Sequence, residues 1–345
     1  QALAQVASAV AAGKGVTAPA QATPGDTANA IARALLGGER KAILLGNAAA
    51  AHPHASALLA LANWIGEHTG ASVGYLTEAA NTVGAQLVGA VPGQGGLNAG
   101  QMLSQPMKAL LLLDVEPRHD AANPAAAVAA LQGAGLVVAL TSFKDAAVDN
   151  ADVLLPIAPF SETAGSFVSA EGRLQTFHGV VKPLGDTRPA WKVLRVLGNL
   201  LGLDGFAQET VEEVRAEALP GAEPIGARLS NRSSGMPVSL QTPANGLERI
   251  ADVPIYSADS LVRRAASLQL TTDAQPPQAV LPSGLWQQLA LKPGESVRVS
   301  QGGSTAVLPA REDATLAANA VRVSAGHETS ATLGAMFGPI TVERA

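Results

Sequence analysis

From Lys41 onward, short apolar runs alternate with segments of helical period. Ala42 to Leu45 reads as a buried strand ending at Gly46, and an apolar helix from Ala55 to Glu67 is closed by Gly70. Ser72 to Leu76 predicts a second strand, after which Thr77 caps a helix carrying Ala79, Val83 and Leu87. The Gly-rich loop Pro92 to Gly100 precedes a further short helix. Leu110 to Val115 is a strand in which four leucines run into Asp114. Pro124 opens a helix over 125–132 that Gly133 and Gly135 end. Leu136 to Leu140 and Val153 to Ile157 are the next strands. A helix starting near Pro189 sets Trp191, Leu194, Leu197 and Leu201 on one stripe. Strands apolar on both faces, separated by helices, predict an α/β domain over 41–205: a parallel sheet with helices on both faces.

The pattern changes past residue 205. An acidic amphipathic piece, Thr210 to Ala218, leads into a Gly/Pro/Ser-rich stretch from Pro220 to Pro243, and Tyr256 to Leu270 predicts one helix. The whole of 206–275 reads as a linker or insertion. From Leu281 the period becomes two. Ser296 to Ser300 alternates strictly, Gln301 to Ser304 makes a hairpin turn, and Thr305 to Leu308 returns alongside. Further short strands at Val321 to Val323 and Ile340 to Val342 predict a small β-barrel over 276–345. Residues 1–40 open on an Ala-rich run, Ala2 to Ala12, and form an N-terminal helical segment or connection.

Composition narrows the function classes. The 345 residues and 34.8 kDa suffice for two domains, and 47% hydrophobic against 15% charged residues marks a globular chain. A net charge of −5 without a basic stripe excludes a nucleic-acid footprint. Zero cysteines exclude thiolate-held iron–sulfur or zinc sites, disulfides and a cysteine nucleophile. The two long uncharged stretches, 42–66 and 121–143, are broken by Gly, Pro, Asn, His and Gln residues, so a soluble chain is expected. The start at Gln1 suggests a fragment or processed product, and no basic residue leads the Ala-rich run as in a signal peptide.

Candidate chemistry is sparse. His52 and His54 flank Pro53 and lack a nearby acidic ligand, so they read as a loop entering a helix. In Pro92 to Asn98, Asn98 stands where a dinucleotide fingerprint needs glycine, which makes the loop a flexible connection. Glu162 and Glu171 are nine residues apart across a Gly-containing loop. They read as turn-holding carboxylates, with Arg173 as a charge partner. His119 beside Asp120, His178, and His327 beside Glu328 are isolated surface or capping histidines.

One segment carries information in its residue order. After ADVLLPIA (Ala151 to Ala158) comes PFSETAGSFVSAEGRLQ (Pro159 to Gln175), with Glu162, a turn at Gly165, Phe167 and Glu171-Gly172-Arg173. This order resembles a segment of the molybdopterin oxidoreductases, in the version found in the G subunits of respiratory complex I. TEAANTVGAQ (Thr77 to Gln86), LLLDVEP (Leu111 to Pro117) and the ending GHETSATLGAMFGPITVERA (Gly326 to Ala345) resemble the same family. The resemblance covers about 41–201 and 281–345 and implies a formate-dehydrogenase-like α/β region followed by a double-psi β-barrel. It further implies a structural, non-catalytic portion of the complex. The 2Fe–2S and 4Fe–4S clusters would lie in an N-terminal part outside this chain. The partners would be that part and other peripheral-arm subunits, on the cytoplasmic side of the bacterial inner membrane. No catalytic, cofactor-binding or metal residue of the family maps onto this chain. A second reading is the C-terminal half of a true molybdopterin enzyme, with pterin dinucleotides contacting loops such as Pro159 to Gln175. A third, an unrelated nucleotide-binding domain, lacks the glycine fingerprints it needs.

Overall fold

The computed structural model describes residues 1–221, 224–232, 238 and 246–345. It divides into two units: 1–87 with 167–174 and 222–243, and 88–166 with 175–221 and 244–345.

In the first unit the Ala-rich opening becomes the helix Ala2–Lys14, stopped by Gly15 in the left-handed conformation at φ 67°. It packs with the helices Asp26–Gly37 and Ala55–Thr69 around Ala4, Ala7, Val10, Ala28, Ala32, Leu61 and Ile65. Alanine at the contacts lets the helices approach closely. Strands β1 (Ala42–Leu45) and β2 (Ser72–Tyr75) pair in parallel, Ala42 opposite Ser72. Gly66 makes that packing possible, since a Cβ there would stand 2.6 Å from Val73 Cγ2 and 2.9 Å from the Ala71 carbonyl oxygen. The helix expected to start at Thr77 begins instead at Thr82. The preceding residues turn, and Asn81 Oδ1 accepts the Val168 N–H at 2.9 Å.

In the second unit β3 (Leu110–Leu113), β4 (Val137–Thr141) and β5 (Val153–Pro156) form a parallel sheet in the order β3-β4-β5. The helix Pro124–Gly133 begins with proline after Asn123, whose side chain accepts the Ala126 N–H. Its Leu131 joins Leu110 and Val137 in a buried cluster on one face of the sheet. Leu111, Leu113 and Val153, on the opposite face, remain solvent-exposed. β6 (Gly165–Val168) and β7 (Leu174–Phe177) pair as a two-stranded ribbon, of which 167–174 belong to the first unit. The helix Ala190–Leu200 forms as its period predicts, but Trp191, Leu194 and Leu197 are only half-buried and Leu201 is exposed.

The remaining strands close a six-stranded barrel: β8 (Leu247–Ile250), β9 (Ala279–Leu281), β10 (Ser296–Gln301), β11 (Ser304–Glu312), β12 (Ala320–Arg322) and β13 (Gly338–Arg344), in the order β10-β11-β9-β12-β8-β13. Its core is aliphatic, with Leu281, Val297, Val299, Leu308, Val321 and Leu333 fully buried. β8 comes from inside the stretch expected as linker, because a four-residue strand is too short to show a period. Much of the Gly/Pro/Ser-rich part of that stretch lies outside the described residues. The helix expected over Tyr256 to Leu270 is broken into Ile255–Ser257, Ser260–Arg264 and Ala266–Gln269. Asp259 caps the middle piece with bonds from the Leu261 and Val262 N–H groups, and Ala265 leaves helical geometry at ψ 92°.

Candidate functional site at the carboxyl ends of β3 to β5

In an open parallel sheet, ligand-sized crevices form where the strands end at their carboxyl side. Here β3 runs into Asp114 and Glu116, β4 into Ser142 and Phe143, and β5 into Pro159 and Phe160. A cavity of about 400 Å³ opens among Asp114, His119, Ser142, Phe160 and Asp259. A neighbouring one of about 250 Å³ lies among Glu116, Arg118, His119, Leu131, Asp145 and Glu328.

Asp114 sits at φ 50°, a left-handed conformation that aspartate adopts more readily than most residues. Burial raises its carboxyl above the ordinary carboxylate range, and the nearby charges of Asp259, Asp120 and Glu116 push the same way against a bond from the Ser142 backbone. Glu116 is the charged centre of the site and is buried. Arg263 Nη2 and Nε donate to its Oε2 at 2.8 and 3.1 Å, and Arg264 Nη2 lies 2.7 Å from its Oε1. Burial alone would raise the Glu116 carboxyl; the bonds from Arg264 and Arg263 outweigh it and hold the group below its usual value.

The two arginines are themselves fully engaged. Arg263 reaches Asp120 Oδ1 at 2.9 Å and the Ser257 carbonyl at 2.8 Å. Arg264 holds Asp145 through two bonds, donates to the Ser260 carbonyl, and stacks 4.4 Å from the centre of the Phe143 ring. Asp120 Oδ2 accepts the Glu116 N–H, so the helix Pro117–Asp120 is closed at its start by its own side chain. Arg118 grips Glu328 with a pair of bonds, tying the loop after β12 to this edge of the sheet. His119 is lowered in pKa by burial and by Arg263; its Nε2 lies 3.7 Å from Glu328, and its buried Nδ1 lacks a hydrogen-bond partner.

A pyrophosphate needs free N–H groups or uncommitted cations. At this edge Arg118, Arg263 and Arg264 are spent on carboxylates, while Asp114, Asp120 and Asp259 line the larger cavity. None of these three arginines is left free for the phosphates of a pterin dinucleotide.

The residues singled out in the sequence fall mostly elsewhere. His52 Nδ1 accepts the His54 N–H at 2.9 Å, a local turn before the helix Ala55–Thr69. Asn98 caps Ala99–Leu103 in a reciprocal pair with Gln101. Glu162 Oε2 accepts the Leu184 N–H at 2.9 Å, and the Glu171 N–H donates to Ser169 Oγ at 3.3 Å in the turn between β6 and β7. Burial lowers His327, whose Nδ1 accepts the Thr329 N–H at 3.2 Å. His119, Asp120 and Glu328 do converge, in the crevice. Sequence reading passed over Asp114, Glu116 and the Arg263-Arg264 pair. Their signal was present: carboxylates directly after four leucines, and two adjacent cations in a chain only 15% charged.

Comparison with known proteins agrees with this architecture. A stretch of 135 residues, 37% of this chain, is 36% identical to the G subunit of the NADH-quinone oxidoreductase of Mycobacterium bovis, and equally to that of Mycobacterium tuberculosis; it spans 16% of either relative. Over 76 residues, 22% of this chain and 8% of the relative, it is 36% identical to a Staphylococcus aureus protein named provisionally as a formate dehydrogenase. Acetylene hydratase from Pelobacter acetylenicus shares the fold at a TM-score of 0.52 and 16% identity, over 72% of this chain and 47% of that one. The profile of the molybdopterin oxidoreductases matches residues 25–200, half of the sequence, and the chain belongs to that family.

Proposed function

We propose that this chain is a structural portion of a complex I G subunit, bracing the part of the enzyme that carries the iron–sulfur clusters. Electrons from NADH would pass to quinone through clusters ligated outside this chain, and its surfaces would meet other peripheral-arm subunits on the cytoplasmic side of the membrane. The identity with two mycobacterial G subunits and the order of family segments favour this reading. Among the described residues no helix is long and apolar enough to cross a membrane. The observation that carries most weight is the crevice. A pterin dinucleotide seated in this crevice would meet Arg263 and Arg264 already neutralised by Glu116, Asp120 and Asp145.

The competing reading is a pterin-binding oxidoreductase of the formate dehydrogenase kind, favoured by the family itself and by the staphylococcal relative. Molybdenum analysis and pterin fluorescence of the chain purified from its own cells separate the two. The structural reading expects neither signal, and molybdenum at one atom per chain would sink it.

A further inference from the structure

Exposed apolar side chains normally sit singly on a protein surface, and a fixed group of them marks a contact. Phe160, 62% exposed, follows β5. Val180 at 84%, Val181 at 59% and Leu184 at 77% lie on the loop between β7 and the helix Ala190–Leu200. The two segments are laced together. The Val180 N–H donates to the Ser161 carbonyl at 2.7 Å, the Leu184 N–H to Glu162 Oε2 at 2.9 Å, and the Ala158 N–H to the Arg188 carbonyl at 2.9 Å. Gly179 lies so near the first segment that a Cβ there would stand 3.0 Å from the Glu162 carbonyl carbon. A hydrophobic loop is thereby held in one conformation against water. Ordering a loop is a main cost of binding, and here it is met before any partner arrives.

Charge on the two segments of this patch leans positive, with Glu162 tied to the Leu184 N–H and Asp186 as their carboxylates. Among the described residues, the exposed Lys182, Arg188 and Lys192 form no ion pair with a carboxylate. Arg188 donates only to carbonyls of its own loop, and Lys192 stands 5.3 Å from the Trp191 ring centre. Asp186 is the single acidic residue between His178 and Arg195. The crevice arginines, by contrast, are all paired.

We propose that Phe160, Val180, Val181 and Leu184, with the exposed Lys182, Arg188 and Lys192 on and just after the same loop, dock another protein subunit that presents an aliphatic ridge bordered by carboxylates. The proposal rests on the reading of this chain as part of a multisubunit oxidoreductase. Lipid is the weaker occupant, because these side chains stand on a loop and lack the helical apolar face that seats a segment in a bilayer.

The test uses the chain tagged at its own locus, with extracts run on native gels and stained for NADH oxidation. Wild-type chain is expected in the active band. Val180→Asp/Leu184→Asp is expected to lose about tenfold or more of that signal while keeping its thermal unfolding. Should the double variant not fold, Val181→benzoylphenylalanine in the otherwise unaltered chain is expected to photocrosslink to one neighbouring protein beside carboxylates. Lys182→Glu should weaken that adduct and Lys182→Arg preserve it. A double variant that folds and stays in the active band overturns the docking surface and leaves the reading of the chain as part of the complex standing. Wild-type chain missing from the band removes both. Crosslinks to lipid alone, with binding to phosphatidylglycerol vesicles, overturn the proposal in favour of a membrane.

Discussion

Arg249 shows how one residue can organise a fold without taking part in chemistry. It is 1% exposed inside the barrel, and no carboxylate neutralises it among the described residues. Burial lowers its pKa to about 10. What holds it is a cage of acceptors: the carbonyls of Val323, Gly334, Ala335 and Ser324, and Gln301 Oε1. Four of these five come from the segment after β12 that also delivers Glu328 to Arg118. Arg249→Met keeps an unbranched apolar stem, removes the guanidinium and strands those acceptors. It should destabilise the second unit by about 3 kcal/mol in urea titrations. A loss under about 0.5 kcal/mol would mean the cage closes without its guanidinium. His119 makes the complementary case. Its folded pKa lies below the ordinary 6.5, so below that pH the unfolded chain takes up a proton that the folded site refuses. Stability then rises with pH across this window and falls as pH drops from about 6.5 towards 5. Arg263, Glu328, Glu116 and Asp120 all face the ring, and His327 acts in the same direction. His119→Gln/His327→Gln should flatten the urea midpoint between those two pH values. An equally steep slope in the double variant would assign it to other groups.

At the scale of elements, legibility followed the length of the repeating pattern. The helix Ala190–Leu200 formed where its period placed it, and β1 where an unbroken apolar run ends at Gly46. The same holds for Ser296 to Ser300, where Val297 and Val299 point into the barrel and Arg298 pairs outward with Glu343. Tyr256 to Leu270 defeated the same reasoning. Its apolar spacing fits one helix, but Asp259 prefers to cap and Ala265 breaks the run, leaving Arg263 and Arg264 at the end of a five-residue helix. That break places both guanidinium groups against Glu116, a contact separated by almost 150 positions along the chain. Local periodicity carries no information about such a pairing. β8 was equally hidden, because its place in the barrel comes from pairing with β12 and β13 rather than from its own four residues. The family segments read in the sequence ran along β3, β5 and the carboxyl ends of the sheet, which is why the fold could be recognised before its crevice could be described.

At the scale of the whole molecule, two cores of different chemistry stand in one chain. The first unit is centred on alanine-lined helices with Leu61 and Ile65, and the second on the barrel aliphatics and the β3–β5 cluster. Each closes on residues of its own unit, so each should unfold as its own cooperative step. Leu61→Ala and Leu308→Ala test this directly, since both side chains are fully buried and each truncation should cost about 3 kcal/mol. In scanning calorimetry Leu61→Ala should lower one transition and leave the other in place, and Leu308→Ala should do the reverse. Arg249→Met, within the barrel, should move with Leu308→Ala. The glycine at position 66 sharpens the assignment. Gly66→Ala places a methyl group against the Ala71 carbonyl and should shift only the transition that Leu61→Ala shifts. A single transition displaced alike by all four variants would mean that the two cores melt as one.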